Sequence, residues 1–330
     1  MSLIELAVTA GCPCGIGPEV TARALALVAP RLPDVRFTVF GDGGALADAS
    51  SRAGVDLAAH SNVRVVAVSD LAPRDRVAGS PGIPAGRAQL AAIDAALDGV
   101  RAGALDGIVT APVSKKAITD AGVAFKGHTE HLAERAGVSR VVMHFAGPKL
   151  RVSLVTTHHA ISTVSSKVTR EAVRETIRIT ARALVADFGL VAPRVAVSGL
   201  NPHAGEGGLL GREEIEVISP AIEEARASLR GVTVTGPVPA EAVFRQARDG
   251  RFDAVVAMYH DQATIASKLL DFGDAVNVTL GLPFVRTSVD HGTAYDIAGR
   301  NLADPHGMEV ALELGARMAR VRRAAATVDA

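Results

Sequence analysis

Three strand-like segments of the sequence each lead into a histidine. The segments VSLVTTH, VAVSGLNPH and VVAMYH end at His158, His203 and His260. In open α/β sheets, ligand sites lie beyond the carboxyl ends of the strands, so three imidazoles delivered there could converge on one divalent metal. His159 and Asp261 adjoin two of the histidines and could orient them through hydrogen bonds. A histidine is also common at the surface or in a hydrogen-bonded core, so the pattern alone leaves both interpretations open.

A second set of residues favours an anion-binding site. The motif GHTE places His128 and Thr129 before a predicted helix, with Thr129 as the expected N-cap. Lys268, Asn277 and Arg286 lie in a later region that is otherwise rich in apolar strand residues. Lysine and arginine in such surroundings favour an anion, usually phosphate. Helix capping and ordinary ion pairing are the alternative interpretations.

The stretch GCPCGIGPEV carries both cysteines, Cys12 and Cys14, between a predicted strand and a predicted helix. A zinc site usually needs two spaced pairs of ligands, and a disulfide between positions i and i+2 would be strained. We therefore expect free thiols that pack as small apolar groups. Pro18 suits the first turn of the helix, whose N-terminus could hold an anion or merely follow a tight turn. Neither this stretch nor GDGGAL matches the Rossmann glycine fingerprint.

The composition is that of a globular protein with an aliphatic core. Of the 330 residues, 48% are hydrophobic and 3% are aromatic, and the formal net charge is zero. A neutral chain without a basic stripe argues against nucleic acid as a partner. No apolar run reaches the ~18 residues of a membrane span, and the first residues lack the basic start of a signal peptide. We expect a cytoplasmic protein, in which two cysteines would stay reduced.

Short runs rich in Val and Ile alternate with helical patterns along the whole chain. The spacing of Val173, Ile177 and Leu184 predicts one helical face, and a helix over residues 212–229 is expected to bend or restart near Pro220. Strands that alternate with helices predict a mainly parallel sheet with helices on its faces. No linker is evident, so two domains would be intimate, with the chain crossing between them more than once.

A series of motifs resembles one enzyme family. In chain order they are GIGPE, TAPVSK, GHTE, TTH, GLNPHAGEGG, AMYHDQ, VNVTLGLPFVRTSVDHGTA and DIAGR. Together they span nearly the whole chain and closely resemble the 4-hydroxythreonine-4-phosphate dehydrogenase family of pyridoxal 5′-phosphate synthesis. GLNPHAGEGG and RTSVDHGTA are long and specific enough to carry this assignment.

The resemblance implies an α/β fold similar to that of isocitrate and isopropylmalate dehydrogenases, with two α/β/α domains and a cleft between them. One domain is expected to be discontinuous, with residues 1–125 and 262–330, and the second to comprise residues 126–261 and to form the dimer. The resemblance also implies a homodimer whose active sites are each shared between the two subunits. NAD, or NADP, is expected to bind outside any Rossmann motif.

The resemblance implies three groups of site residues. The ligands of one divalent ion per site, whether zinc, magnesium or cobalt, fall on His158, His203 and His260. The substrate contacts fall on His128, Thr129, Lys268, Asn277 and Arg286. The segment HGTAYDIAGRNLADP, residues 291–305, is similar to the adenosine-side segment of the decarboxylating dehydrogenases, so the expected cofactor contacts are Gly292, Thr293 and Asp296.

The implied reaction is the oxidation of 4-phosphooxy-L-threonine at C3, with decarboxylation to 3-amino-2-oxopropyl phosphate. The catalytic general base is not assigned, and Lys115, Asp261 and Asp290 are candidates by position. A 4-phospho-D-threonate or 4-phospho-D-erythronate dehydrogenase and a cis-dihydrodiol dehydrogenase remain open. So do an acyl-phosphate acetyltransferase, which needs neither NAD nor three histidines, and a non-catalytic sensor on an enzyme fold.

The chain departs from the family's pattern in two places. Cys12 stands where the family usually has an acidic residue, and Cys14 where it usually has alanine. The family's PADT reads PAEA here, so Glu241 replaces an aspartate and Ala242 a threonine. These changes leave the metal and phosphate residues in place and bear on the choice of substrate.

Overall fold

A computed structural model describes residues 3–328 and divides the chain into two compact units. The first unit comprises residues 3–139 together with Leu282–Arg320. The second comprises Arg140–Gly281 and residues 321–328. The sequence predicts boundaries near residues 125 and 261. Residues 126–139, which include His128 and Thr129, belong to the first unit rather than to the second. Residues 262–281 and 321–328 belong to the second unit rather than to the first.

Strands and helices alternate along the chain, which confirms the α/β class. The strands are β1 (Ile4–Thr9), β2 (Val35–Asp42), β3 (Val63–Ser69), β4 (Gly107–Thr110), β5 (Val142–Ala146), β6 (Arg151–Leu154), β7 (Arg194–Ser198), β8 (Thr233–Val238), β9 (Ala254–Ala257), β10 (Val276–Leu280) and β11 (Val285–Ser288). The α-helices are α1 (Gly17–Val28), α2 (Gly43–Ala53), α3 (Ile83–Arg101), α4 (Lys115–Asp120), α5 (His128–Arg135), α6 (Ile161–Lys167), α7 (Arg170–Ala186), α8 (Ser219–Ser228), α9 (Ala240–Arg248), α10 (His260–Leu270) and α11 (His306–Val328).

In the first unit the strand order is β3-β2-β1-β4-β11, and each neighbouring pair is parallel. The central strands β1 and β4 are almost entirely buried, which is typical of parallel strands covered by helices on both faces. The register of β4 and β11 sets Arg286 opposite Ile108 and Ser288 opposite Thr110. Arg286 is therefore the second residue of a buried strand.

In the second unit the strand order is β10-β5-β6-β9-β7-β8. β5 pairs antiparallel with both β10 and β6, and the remaining pairs are parallel. Val195 and Val197 of β7 pack into a core with α7 and α8, whereas Ala196 packs into a core with Val243 of α9. Successive side chains of a strand point to opposite faces, so this alternation gives helices on both faces of the sheet.

Two predicted helices of this unit have the expected features. Val173, Ile177 and Leu184 are fully buried on α7. The second helix does restart, because a π-helical turn at Glu214–Ile218 precedes α8, which has Pro220 in its first turn. Proline has no N–H to donate, and a π turn often accompanies a functional site. Among residues 3–328, no helix combines the length and the apolar character that crossing a membrane requires.

Candidate active site

The three histidines predicted as metal ligands follow neighbouring strands of the second unit. β6, β9 and β7 lie side by side and are parallel, so their carboxyl ends share one edge of the sheet. His158 follows β6, His260 is the first residue of α10 after β9, and His203 lies in the loop after β7. Ligand sites of α/β sheets lie at this edge.

His158 and His260 form a close pair. Their ring centroids are 5.5 Å apart, and the ring planes are inclined by 45°. Two imidazoles bound tetrahedrally to one ion, with metal–nitrogen distances of about 2.1 Å, would have centroids roughly 5 Å apart. The pair lines a cavity of about 190 Å³ together with Thr157 and Tyr259. The spacing and the space beside the rings therefore fit a divalent ion.

Asp261 orients one ring of this pair. Its Oδ1 atom lies 2.7 Å from Nδ1 of His260, so Nδ1 carries the hydrogen and donates to the carboxylate. Nε2 of His260 is then the nitrogen with a lone pair for a metal. Asp261, a candidate general base by its position, is therefore also the hydrogen-bond partner of His260.

His203 lies apart from the pair. Its side chain is 66% exposed, and its Nδ1 atom lies 3.2 Å from Oε1 of Glu241. Within the described residues of a single chain, 3–328, no three His, Cys, Asp or Glu side chains are grouped as metal ligands. The geometry thus brings two of the three predicted ligands together, with the third oriented by a carboxylate elsewhere in the same unit.

The loop that carries His203 has an unusual backbone. Six successive residues, from His203 to Gly208, have positive φ angles. Left-handed conformations cost roughly 1–2 kcal/mol for each non-glycine residue, so this loop needs an anchor. The buried carboxylate of Glu214 provides one, since it accepts hydrogen bonds from the backbone N–H groups of Leu200 and Asn201.

Sequence reasoning missed Glu214 because its position in a helical stretch gives no sign of this role. Its Oε2 atom also accepts a hydrogen bond from the Asn201 side chain at 2.9 Å. The neighbouring Glu213 accepts from the same amide and from the Ser165 hydroxyl. Of these glutamates, only Glu241 could have been noticed in the sequence, because it departs from the family's pattern.

The second unit also carries two of the predicted substrate contacts. Lys268 is exposed on α10, two turns after His260. Asn277 lies on β10 opposite Phe145, and its Oδ1 atom is buried with no hydrogen-bond partner in the described structure. A buried amide oxygen without a partner is unfavourable, so Asn277 is suited to accept a hydrogen bond from a ligand or a water molecule.

The first unit carries the other three predicted substrate contacts. The guanidinium of Arg286 is buried and donates to Oγ1 of Thr110 at 2.7 Å. Burial lowers the pKa of Arg286 to about 10, so it stays charged at neutral pH. The Nε2 atom of His128 is buried without a hydrogen-bond partner among the described residues. Burial, and then the charge of Arg286, hold the pKa of His128 well below its ordinary value.

His128 and Thr129 open helix α5, but the cap differs from the one expected. The N-cap is Gly127, and no side chain caps the helix, so Thr129 is the second helical residue and not the N-cap. His128 is neutral at physiological pH because its pKa is depressed. Its ring can therefore accept or donate one hydrogen bond to an anion while Arg286 supplies the positive charge.

The predicted cofactor segment rests on the glycine-rich turn before α1. Ile16 N donates to the carbonyl of Thr293 at 3.0 Å. A Cβ atom on Gly15 would lie 2.9 Å from that oxygen, so only glycine allows this approach. Gly292 and Asp296 are exposed, whereas the Thr293 carbonyl is engaged by the turn. Gly292 and Asp296 are therefore the members of the predicted set that can contact a cofactor freely. Asp290, the third general-base candidate, is half-buried just after β11.

The two cysteines are free and buried, as expected. They pack with Ala85, Leu71 and Tyr295, and Cys12 Sγ is hydrogen-bonded to the Tyr295 hydroxyl at 3.4 Å. The Cys14 side chain, and then the Tyr295 hydroxyl, lower the pKa of Cys12 to about 7 through hydrogen bonding, and the Cys12 side chain raises the pKa of Cys14. The Cys14 thiol also donates to the Asp75 carbonyl at 3.7 Å. The two thiols therefore influence each other within the turn that supports the cofactor segment.

Known proteins share both the sequence and this fold. The family described as Pyridoxal phosphate biosynthetic protein PdxA matches residues 28–315. A 4-hydroxythreonine-4-phosphate dehydrogenase of Burkholderia vietnamiensis is 49% identical over 324 residues, which cover 97% of this chain and 98% of the relative. The crystal structure of 4-hydroxythreonine-4-phosphate dehydrogenase from Klebsiella pneumoniae has a TM-score of 0.86 at 37% identity, covering 97% of this chain and 98% of that one.

A more distant structural relative carries a different name. The terephthalate 1,2-cis-dihydrodiol dehydrogenase of Burkholderia xenovorans has a TM-score of 0.68 at 31% identity and covers 96% of this chain and 98% of that one. These relatives are all named as dehydrogenases, and together with the fold they define an α/β oxidoreductase. The chain belongs to the PdxA family, whose model matches most of its length.

Proposed function

We propose that this protein oxidises 4-phosphooxy-L-threonine at C3 with NAD and a divalent metal ion, and releases carbon dioxide and 3-amino-2-oxopropyl phosphate. This step belongs to pyridoxal 5′-phosphate biosynthesis. The observation that carries the proposal is the His158–His260 pair, whose spacing suits one metal ion at the carboxyl ends of adjacent strands. The names of the relatives supply the substrate.

The metal would be held by His158 and His260 of one chain and by a third histidine, His203. A divalent ion, when bound, supplies Lewis-acid stabilisation of the negative charge that develops on the substrate oxygen. Asp261 and Glu241 keep the hydrogens of His260 and His203 on Nδ1, so each ring presents Nε2.

We further propose that a second copy of the chain supplies His203, so that the enzyme is a homodimer with shared sites. His203 stands outside the pair within one chain, although it is oriented in the same manner as His260. Large apolar side chains are exposed after the His203 loop and along and just after α10: Leu209, Leu210, Ile265, Leu269 and Phe272. Such apolar surface favours burial against another protein surface.

The substrate has a carboxylate, an amine, a C3 hydroxyl and a phosphate. Arg286 and Lys268 bind its anionic groups, and Asn277 accepts a hydrogen bond through its buried oxygen. Neutral His128 adds one hydrogen bond from a buried ring, and Thr129 another from its hydroxyl. These contacts orient C3, which is the chief contribution of such residues to the rate.

Oxidation removes a hydride from C3 and a proton from the C3 hydroxyl, and the resulting β-keto acid loses carbon dioxide. NAD, when bound, accepts the hydride. Gly292 and Asp296, which are exposed, would contact it, while the Thr293 carbonyl holds that segment on the turn before α1. NADP as the cofactor, the metal's identity and a cytoplasmic location stay predictions.

The test is NAD reduction, followed at 340 nm, by metal-stripped protein with added Zn²⁺, Mg²⁺ or Co²⁺. We expect turnover of 4-phosphooxy-L-threonine only when a metal is present. Turnover of 4-phospho-D-threonate or 4-phospho-D-erythronate alone would keep the chemistry and change the substrate. Turnover of a cis-dihydrodiol alone would assign the chain to the activity named for the B. xenovorans relative. No turnover and no NAD binding would overturn the proposal and favour a sensor.

A further inference from the structure

We propose that Lys115 binds the phosphate group of the substrate and so belongs to the anion-binding residues of the first unit. The inference rests on the proposed function in one respect, namely that the substrate is a phosphate monoester. It adds a residue to His128, Thr129 and Arg286, and it gives Lys115 a binding role rather than that of a general base.

The position of Lys115 is set by the start of α4. Lys115 is the first residue of this helix, and the Ser114 side chain caps the helix by accepting from Ala117 N at 3.1 Å. The backbone N–H of Ser114 is held in turn by Oε1 of Gln89 at 2.7 Å. The backbone of Lys115 is therefore well anchored, while its side chain is exposed and able to reach a ligand.

The ammonium group lies against the backbone at the start of α5. A Cβ atom on Gly127 would be 3.2 Å from both Cε and Nζ of Lys115. Gly127 also has a φ of +155°, which other residues rarely adopt. Because Gly127 has no side chain, the Lys115 amine has room to approach His128, the residue that follows Gly127.

The charges around His128 are net positive and favour an anion. Burial is the largest cause of the low pKa of His128, followed by the positive charges of Arg286, His131 and Lys115. Glu130 contributes one carboxylate near the same point, since its Oε2 atom would lie 2.8 Å from a Cβ on Gly127. A carboxylate ligand could be bound by Arg286 alone, whereas a phosphate, with a charge of about −1.5 to −2, also calls for the second cation.

The experiment compares Lys115→Met and Lys115→Arg with the control Lys116→Met in the full-length protein. Lys116 is the adjacent residue, is largely exposed and pairs with Asp120 at 2.6 Å, away from Gly127. Binding of inorganic phosphate is measured by calorimetry, and KM and kcat are measured with 4-phosphooxy-L-threonine. Thermal unfolding of each variant verifies that it is folded.

We expect Lys115→Met to weaken phosphate binding and raise KM by roughly 10- to 100-fold, with kcat little changed, because a charge-assisted contact is lost from ground and transition states alike. Lys115→Arg should recover part of the loss, and Lys116→Met should match the wild type. A Lys115→Met protein that binds phosphate like the wild type, or one that loses kcat with an unchanged KM, would overturn the inference. So would a wild-type protein that does not bind phosphate.

Failure of the proposed function gives a different result. If the wild type does not oxidise 4-phosphooxy-L-threonine yet binds inorganic phosphate through Lys115, the substrate is wrong and the assignment of Lys115 stands. If the wild type oxidises the substrate but Lys115→Met binds phosphate as well as the wild type does, the proposed reaction stands and the phosphate-binding role of Lys115 is wrong.

Discussion

Nδ1 of His203 and Oε1 of Glu241 lie 3.2 Å apart, so a carboxylate determines which nitrogen of this imidazole carries the hydrogen. His260 has the same arrangement with Asp261, at 2.7 Å. Both rings therefore present Nε2, which is how a carboxylate prepares a histidine to bind a metal. At position 241 the chain has a longer side chain than its family's pattern, yet the carboxylate still reaches the ring.

Replacing Glu241 by alanine should weaken metal binding by roughly 10- to 100-fold, because the His203 ring loses the partner that fixes its tautomer and orientation. Titration of the metal-stripped protein with Co²⁺, followed by its visible absorption, measures the affinity directly. Glu223→Ala is the matched control, since that carboxylate pairs with Arg226 on α8. Equal affinities in the two variants would show that Glu241 does not orient a ligand.

Mixed dimers should reveal whether the site is shared. His158→Ala and His203→Ala should each be inactive alone. When the two variants are co-expressed, half of the dimers should be mixed, and each should contain one intact site, so activity should recover to about a quarter of the wild type. Co-expression of His158→Ala with His260→Ala should give no recovery, because both ligands belong to the same chain's pair. Recovery in this second mixture would contradict the proposed sharing.

Glu214→Gln should loosen the loop that carries His203. The amide has one oxygen to accept the three hydrogen bonds that Glu214 receives from Leu200 and Asn201. We expect a loss of about 1–3 kcal/mol in the free energy of unfolding, together with faster proteolysis within residues 203–208. Urea denaturation and limited proteolysis check both effects. Glu216→Gln, at an exposed carboxylate paired with Arg212, should leave them unchanged.

The low pKa of Cys12 should depend on Cys14. Thiolate absorption at 240 nm should show one transition near pH 7 in the native protein, and the hydrogen bond from Cys14 is the largest cause of that lowering. In Cys14→Ala the transition should move to higher pH. Burial disfavours the Cys12 thiolate, and the hydrogen bond with Cys14 that opposes this effect is lost. Both thiols are buried, so a thiol reagent such as DTNB should react slowly until the protein is unfolded. An unchanged transition in Cys14→Ala would show that the two thiols are not coupled.

His144 should make the protein sensitive to mild acid. Its Nδ1 is hydrogen-bonded to Ser153 Oγ at 2.8 Å, and burial lowers its pKa to about 3. The unfolded chain, with a histidine pKa of ~6.5, binds the proton more readily than the folded protein does. The contribution of His144 to the free energy of unfolding is therefore complete above a pH of ~6.5 and is lost as the pH falls toward 3. Between pH 7 and pH 5 the loss should be about 2 kcal/mol.

Urea denaturation at these two pH values measures the loss, and His144→Gln should reduce its size. His60→Gln, at a half-buried histidine outside the core, should retain the full difference. If His144→Gln kept the wild-type dependence on pH, the acid sensitivity would come from other groups.

The patterns in the sequence were sufficient for the α/β class, the helical face on α7, the restart before Pro220 and the free cysteines. Periodicity and proline act locally, over one or two turns, so they can be recognised without the fold. The long motifs were sufficient for the family. The boundaries of the two units were harder to predict from the sequence. They depend on which strands pair, and no local sequence feature marks the residues at which the chain passes from one unit to the other.

The sequence by itself determined that three histidines follow three strands. Only the tertiary structure decided that β6, β9 and β7 are neighbours, that His158 and His260 meet, and that His203 stands apart beside Glu241. It also decided that Glu214 anchors a left-handed loop and that the Lys115 amine lies against Gly127. Such contacts join residues distant along the chain, and their geometry is set by strand order and close packing, which no local pattern encodes.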